Sequence, residues 1–174
     1  DENIYYLEAP TGSGKSNTAM NLSFQLIRNC DCLDKIMYIY PFNTLVEQNE
    51  SILRKIFGEN PEAIEQIKVV NSITPIYQTE VKEENKKYVT ACQKALLDRQ
   101  FFNYPIAVST HVTLFRTMFG DNREDAFSFH QLANSVIVLD EIQSYRNEIW
   151  TEIIVFLKMF AKLLHMKVII MSAT

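Results

Sequence analysis

Little in this sequence bends, cross-links or charges the chain in one direction. Four Gly and five Pro in 174 residues exclude collagen-like, low-complexity and linker-rich proteins. Three cysteines, Cys30, Cys32 and Cys92, are too few for a disulfide framework. The Cys30-x-Cys32 pair has the look of half a metal site, but no second pair or nearby His completes it, so no metal is expected there. The bland reading is buried or helix-end thiols in a reducing cytosol, so a cytoplasmic protein is expected. Positive charge is not in excess either: 17 Lys and Arg face 21 Asp and Glu, a net charge of −4. No basic footprint therefore advertises nucleic acid, although a local patch can bind phosphates on an acidic protein. No apolar run approaches the ~18 residues of a membrane span. No signal peptide opens the chain, and no membrane partner is expected. His111, His130 and His165 are scattered without metal-ligand spacing.

What is present is an ordinary globular composition, 47% hydrophobic and 22% charged, enough for one soluble domain with a real core. Short β-rich apolar runs at 4–8, 35–40, 68–71, 106–109, 135–140 and 167–171 alternate with helical patterns. The helices are expected at 15–28, 44–57, roughly 83–102, 112–119 and 148–165. Most of the strand runs are near-continuously apolar, as strands buried on both faces must be. The expected fold is α/β, a mostly parallel sheet with helices on both faces. The charged run at 82–87 reads as a solvated helix face. A strand begins almost at once without an initial Met, and S-A-T closes the chain directly after another strand. Both ends are expected to be cuts in a longer protein.

Residues 9–16 read A-P-T-G-S-G-K-S, between an apolar strand and a helix. The phosphate-loop pattern is G-x-x-x-x-G-K-[ST], with Ala9 here in its first position. Gly12 and Gly14 allow backbone conformations that a Cβ forbids. The turn through Ala9, Pro10, Thr11, Gly12, Ser13 and Gly14 then aims N–H groups at phosphates. The helix that follows adds its positive dipole end. Lys15 supplies charge to the outer phosphates, and the Ser16 hydroxyl suits Mg2+.

A second signal is V-I-V-L-D-E-I-Q at 136–143, an apolar strand ending in two carboxylates. The carboxyl ends of strands are where ligands sit in an open α/β sheet. Asp140 is assigned to the metal and Glu141 to the attacking water. The rival is an acidic strand-end turn feeding a helix cap. A third signal, M-S-A-T at 171–174, again follows a strand, and alone it would carry nothing.

Together and in this order, A-P-T-G-S-G-K-S, D-E-I-Q and S-A-T resemble superfamily 2 helicases, whose loop carries Ala in the first position. The resemblance spans the chain. It implies the first of two RecA-like motor domains, a P-loop nucleoside triphosphatase hydrolysing ATP with Mg2+, over residues 1–174. It also implies that Gln143, Ser172 and Thr174 couple nucleotide state to domain closure. Y-P-F-N-T-L at 40–45 and V-S-T-H-V-T-L-F at 108–115 match the strand-gripping motifs of such motors. There Asn43, Thr44, Thr110 and His111 would face the phosphates of nucleic acid; the rival makes Asn43 and Thr110 ordinary helix caps.

Within the superfamily the chain is most similar to the helicase-nuclease of type I CRISPR systems, through Y-L-E-A-P-T-G-S-G-K-S, V-I-V-L-D-E-I-Q-S-Y and above all Gln143. That likeness implies a single-stranded DNA substrate and, for the full-length protein, a guide-RNA surveillance complex as partner. No match to a His-Asp nuclease cluster is present. The arginine fingers of the family come from the second motor domain, so residues 1–174 alone should hydrolyse ATP slowly or not at all. The rival readings are another superfamily 2 DNA or RNA helicase, a non-catalytic nucleotide-binding interaction module, and a small-molecule kinase. Intact Lys15, Asp140 and Glu141 argue against a decayed module, and the Asp-Glu pair and S-A-T argue against a kinase.

Overall fold

In the computed structural model the described residues are 2–58, 60–70, 103–121, 123–144 and 150–173. The helix expected at 83–102, the charged run at 82–87 and Thr174 lie outside them. The chain runs β1 (Ile4–Glu8), α1 (Lys15–Asn29), β2 (Lys35–Tyr40), α2 (Asn43–Ile56), α3 (Pro61–Glu65) and β3 (Ile67–Val70). It resumes with β4 (Ile106–Thr110), α4 (His111–Phe119), α5 (Arg123–His130), β5 (Ser135–Leu139), a 3-10 turn (Ile142–Ser144), α6 (Trp150–Leu163) and β6 (Lys167–Ser172).

The six strands form one sheet in the order β1-β6-β5-β2-β4-β3. Every pairing is parallel, with Ile39 opposite Leu139, Leu139 opposite Ile170 and Leu7 opposite Met171. Strict two-residue alternation divides the core. Ile36, Tyr38 and Tyr40 of β2, Val136 and Val138 of β5, and Ile169 and Met171 of β6 share one face with Ala19 of α1 and Val46 and Leu53 of α2. Met37, Ile39, Ile137, Leu139, Val168 and Ile170 share the other with Leu114 of α4 and Ile153, Leu157 and Ala161 of α6. Both faces are covered, which is why these strands carry almost no polar positions.

Strand boundaries fall within one residue of the expected ones. α3 was not expected, although Pro61 occupies its first turn and the Asn60 side chain accepts from the Ala63 N–H at 3.2 Å, a standard start signal. α5 was also missed; its sequence, R-E-D-A-F-S-F-H, carries little amphipathic pattern. α6 begins at Trp150 and ends at Leu163, shorter than the 148–165 span. Among the described residues no helix is long and apolar enough to cross a membrane.

Candidate functional site

The loop between β1 and α1 lies at the carboxyl end of the sheet. Gly12 and Gly14 hold φ of 81° and 85°, the left-handed region that favours glycine. A Cβ at either position would meet nothing within 4 Å, so backbone conformation, not space, requires glycine there. Ser13 N–H closes the turn on the Pro10 carbonyl at 3.2 Å. Gly14 is the N-cap of α1, with no side-chain cap and no acidic residue in the first turn. The first N–H groups and the positive end of the helix are left for an anion. Lys15 is only 9% exposed, and its Nζ donates to the Ala9 carbonyl at 2.8 Å. Ala9 N–H in turn donates to the Ser172 carbonyl at 3.4 Å, tying the loop to the end of β6.

Asp140 directly follows β5, with its backbone N–H on the Ile39 carbonyl at 2.9 Å. Its Oδ1 accepts the Glu141 N–H at 2.7 Å. Burial pushes the Asp140 carboxyl above its ordinary value, and the Glu141 charge pushes the same way; the Glu141 N–H and the Lys15 ammonium pull back without overcoming burial. A cleft of about 320 Å3 is lined by Thr11, Gly12, Gly14, Lys15, Ser16, Asn17, Asp140 and Glu141. The loop and the two carboxylates, 124 residues apart in sequence from Ser16 to Asp140, thus share one cavity. Lys15 and the open amides suit phosphate oxygens. Ser16 and Asp140 are hard oxygen donors of the kind Mg2+ takes alongside phosphate.

Glu141 is a non-glycine residue at φ 51°, which costs about 1–2 kcal/mol. Its Oε2 accepts a hydrogen bond from Gln143 Nε2. Gln143 Oε1 then accepts from Ser172 Oγ at 3.2 Å. A continuous chain of hydrogen bonds therefore leads from the cleft carboxylate to the end of β6. It borders a separate apolar groove of about 610 Å3, whose lining includes Tyr6, Gln143, Trp150, Ile154 and Ser172.

The four residues expected to face nucleic acid sit on two adjacent strand ends, because β2 and β4 pair with Tyr40 opposite Thr110. Thr110 is the N-cap of α4 and accepts the Thr113 N–H, as the rival reading had it. Asn43 is the first helical residue of α2 and not its cap, which is Phe42. Thr44 is exposed and Asn43 half-buried. The His111 ring lies against the Tyr40 and Pro41 backbone, and burial lowers its pKa below the usual value. It joins the two loops that carry these residues.

Sequence reasoning overlooked the tyrosines of β2. A cavity of about 20 Å3 beside the start of α1 is lined by Ser16, Asn17, Tyr38, Tyr40 and Asn49, among others. Burial raises the pKa of both phenols, and Asp140 adds to the effect at Tyr40. Their spacing, two apart on one strand, was the available signal.

A family model described as DEAD/DEAH box helicase matches residues 2–174. Among curated proteins, the CRISPR-associated nuclease/helicase Cas3 of Haloferax volcanii is 24% identical over 178 aligned positions, covering 98% of this chain and 19% of that protein. A solved structure of the DUF1998 helicase MrfA bound to DNA superposes with a TM-score of 0.60 at 18% identity, over 99% of this chain and 22% of that one. The chain spans about a fifth of the length of each.

Proposed function

From the premise that the chain belongs to the DEAD/DEAH box helicase family, we propose that residues 1–174 are the ATP-binding, first RecA-like motor domain of a longer single-stranded DNA translocase. The finer assignment is a cytoplasmic helicase-nuclease of CRISPR interference, acting with a guide-RNA complex. It is supported by the 24% identity to Cas3 and by Gln143. DNA as the track is supported by the fold shared with a helicase bound to DNA.

The observation that carries the motor reading is the hydrogen-bond chain Glu141–Gln143–Ser172 leading out of the phosphate cleft. A phosphate binder needs the loop alone. A motor needs the γ-phosphate reported to a moving partner, and this chain starts at a carboxylate that lines the cleft. Lys15 and the loop amides would hold the outer phosphates of ATP and stabilise charge as the γ-phosphoryl departs. Glu141 would orient the attacking water and take its proton. Ser16 and Asp140 would hold Mg2+, which would supply charge neutralisation at the phosphates. Thr174, beside Ser172 in sequence, would belong to the same coupling. Asn43, Thr44, Thr110 and His111 would line the DNA track. Among the described residues no arginine lines the cleft, so the chain alone should turn over ATP slowly; an arginine finger is worth on the order of 10³–10⁵ in rate.

The test is steady-state ATP turnover by the parent protein with no nucleic acid, single-stranded DNA, single-stranded RNA or duplex DNA. Strong stimulation by single-stranded DNA is expected. Stimulation by RNA alone would make it an RNA helicase, and no stimulation by any of them would sink the motor reading.

A further inference from the structure

Cys30 and Cys32 occupy the turn between α1 and β2, at the amino end of the sheet. The phosphate loop lies at the other end of α1, about 22 Å away for a helix of this length. The two Sγ atoms are 2.7 Å apart, in direct contact and farther apart than the ~2.05 Å of a disulfide. The turn that brings them together is pinned. Cys30 N–H donates to the Ile27 carbonyl at 3.3 Å, Leu33 N–H to the Cys30 carbonyl at 3.0 Å, and Asp34 N–H to the Asn134 carbonyl at 3.0 Å. Leu33 is buried in the core beneath it. Cys30 is half-buried and Cys32 exposed, so small solutes reach the pair.

The surroundings divide the two thiols by role. The Cys32 thiol, the backbone N–H groups of Cys32 and Leu33, and the Lys167 ammonium all favour charge on the Cys30 sulfur, the Cys32 thiol most strongly. They lower its pKa despite some opposing burial. The same shared hydrogen bond raises Cys32. A more acidic thiol beside a less acidic one is the arrangement of an attacking and a resolving cysteine.

We propose that Cys30 and Cys32 form a reversible dithiol–disulfide site that exchanges with low-molecular-weight disulfides of the glutathione class. The Cys30 thiolate attacks one sulfur of the small disulfide, an S–S bond forms, and one thiolate leaves and takes a proton from water. Cys32 gives its proton to solvent and its thiolate attacks the Cys30 sulfur, expelling the second thiolate. The protein loses two electrons and two protons, and the small disulfide becomes two thiols. The second step is intramolecular between sulfurs already in contact, so the mixed disulfide is short-lived. A loop this short gains little from closure, which makes the bond labile and suited to exchange, not a structural staple.

The experiment uses the 174-residue chain carrying Cys92→Ser, equilibrated at pH 7 over a series of ratios of reduced to oxidised glutathione, acid-quenched, alkylated and weighed intact. Two species are expected to interconvert: one alkylated twice, and one unalkylated and lighter by two hydrogens. Adding Cys32→Ala should arrest the reaction at the mixed disulfide on Cys30. It should also move the pH midpoint of Cys30 alkylation upward, which a merely structural Cys32 would not do. Accumulation of a mixed disulfide with Cys32 present, thiols that stay reduced at every ratio, or an unmoved Cys30 midpoint would each overturn the proposal. Circular dichroism of each variant separates these outcomes from misfolding. None of them depends on whether the chain hydrolyses ATP.

Discussion

The two ends of the sheet both use left-handed backbone, and they use it for different things. At the amino end, Asn134 and His165 have φ of 58° and 53°. His165 ends the helix before β6, and Asn134 closes the turn that leads into β5. Asn134 N–H meets the Leu164 carbonyl at 2.9 Å and Met166 N–H the Ala161 carbonyl at 2.9 Å. At the carboxyl end, Gly12 and Gly14 shape the β1–α1 loop, and Glu141 holds φ 51° straight after a strand, where there is no helix to end. Its conformation places the Glu141 N–H on Asp140 and its carboxylate on Gln143. The amino end spends its unusual backbone on closing turns, and the carboxyl end on aiming side chains.

The largest effects should separate the ends outright. Lys15→Ala should cut ATP turnover of the parent protein by ~10²–10³-fold or more, while the melting of the 174-residue chain moves by no more than about 1 kcal/mol. Leu132, fully buried at the amino end, should behave oppositely. Leu132→Ala should cost about 2–5 kcal/mol, and the nucleotide affinity of the molecules that remain folded should be unchanged. Near-normal turnover in Lys15→Ala would remove the cleft from the chemistry. Chemical denaturation alongside turnover reads both.

A smaller contrast tests the backbone itself. Glu141→Gly relieves a strained residue and should leave the chain equally stable or up to about 1 kcal/mol more stable, after the added entropy of a glycine in the unfolded chain. Hydrolysis should collapse with it. Asn134→Gly should change stability by less than about 0.5 kcal/mol, because asparagine tolerates the left-handed region, and should leave hydrolysis alone. Equal gains at the two positions would mean that Glu141 carries no special strain.

The same contrast explains what the sequence made legible. Gly12 and Gly14 could be read because glycine is the residue such a turn demands. The strands could be read because burial on both faces leaves near-continuous apolar runs, with Ile137 and Leu139 on one side and Val136 and Val138 on the other. The order of the strands is another matter. Placing β5 and β6 between β1 and β2 depends on long crossovers whose direction no local residue encodes. Glu141 at positive φ was illegible, since glutamate has no preference for it and tertiary bonds impose it. Asn60-Pro61 was a readable start for α3, but the five-residue helix it begins has no periodic pattern to confirm it. Thr110 as a cap followed from its place before an apolar helix. The contact of His111 with the β2–α2 loop did not, because it joins segments some 70 residues apart, from Tyr40 to His111.

The smallest effect is a pH dependence confined to the carboxyl end. Asp140 titrates above its ordinary 3.8 because burial disfavours its charge. The folded state then binds the proton more tightly than the unfolded chain does. Stability from this group is fully present below the unfolded value and is lost as pH rises from 3.8 through the raised folded value. Above that window the native state carries a buried carboxylate that it would be better without. Asp140→Asn keeps an oxygen acceptor for the Glu141 N–H and removes the charge. At pH 7 the variant should melt above the wild type, and the gap should close as the pH falls toward 3.8. Added Mg2+ should narrow the gap at pH 7 by stabilising the wild type selectively, since only the carboxylate rewards a divalent ion. A gap that widens on acidification would mean that Lys15 outweighs burial and that Asp140 is held ionised by its partner. The carboxyl end would then be a satisfied ion pair and not a poised site.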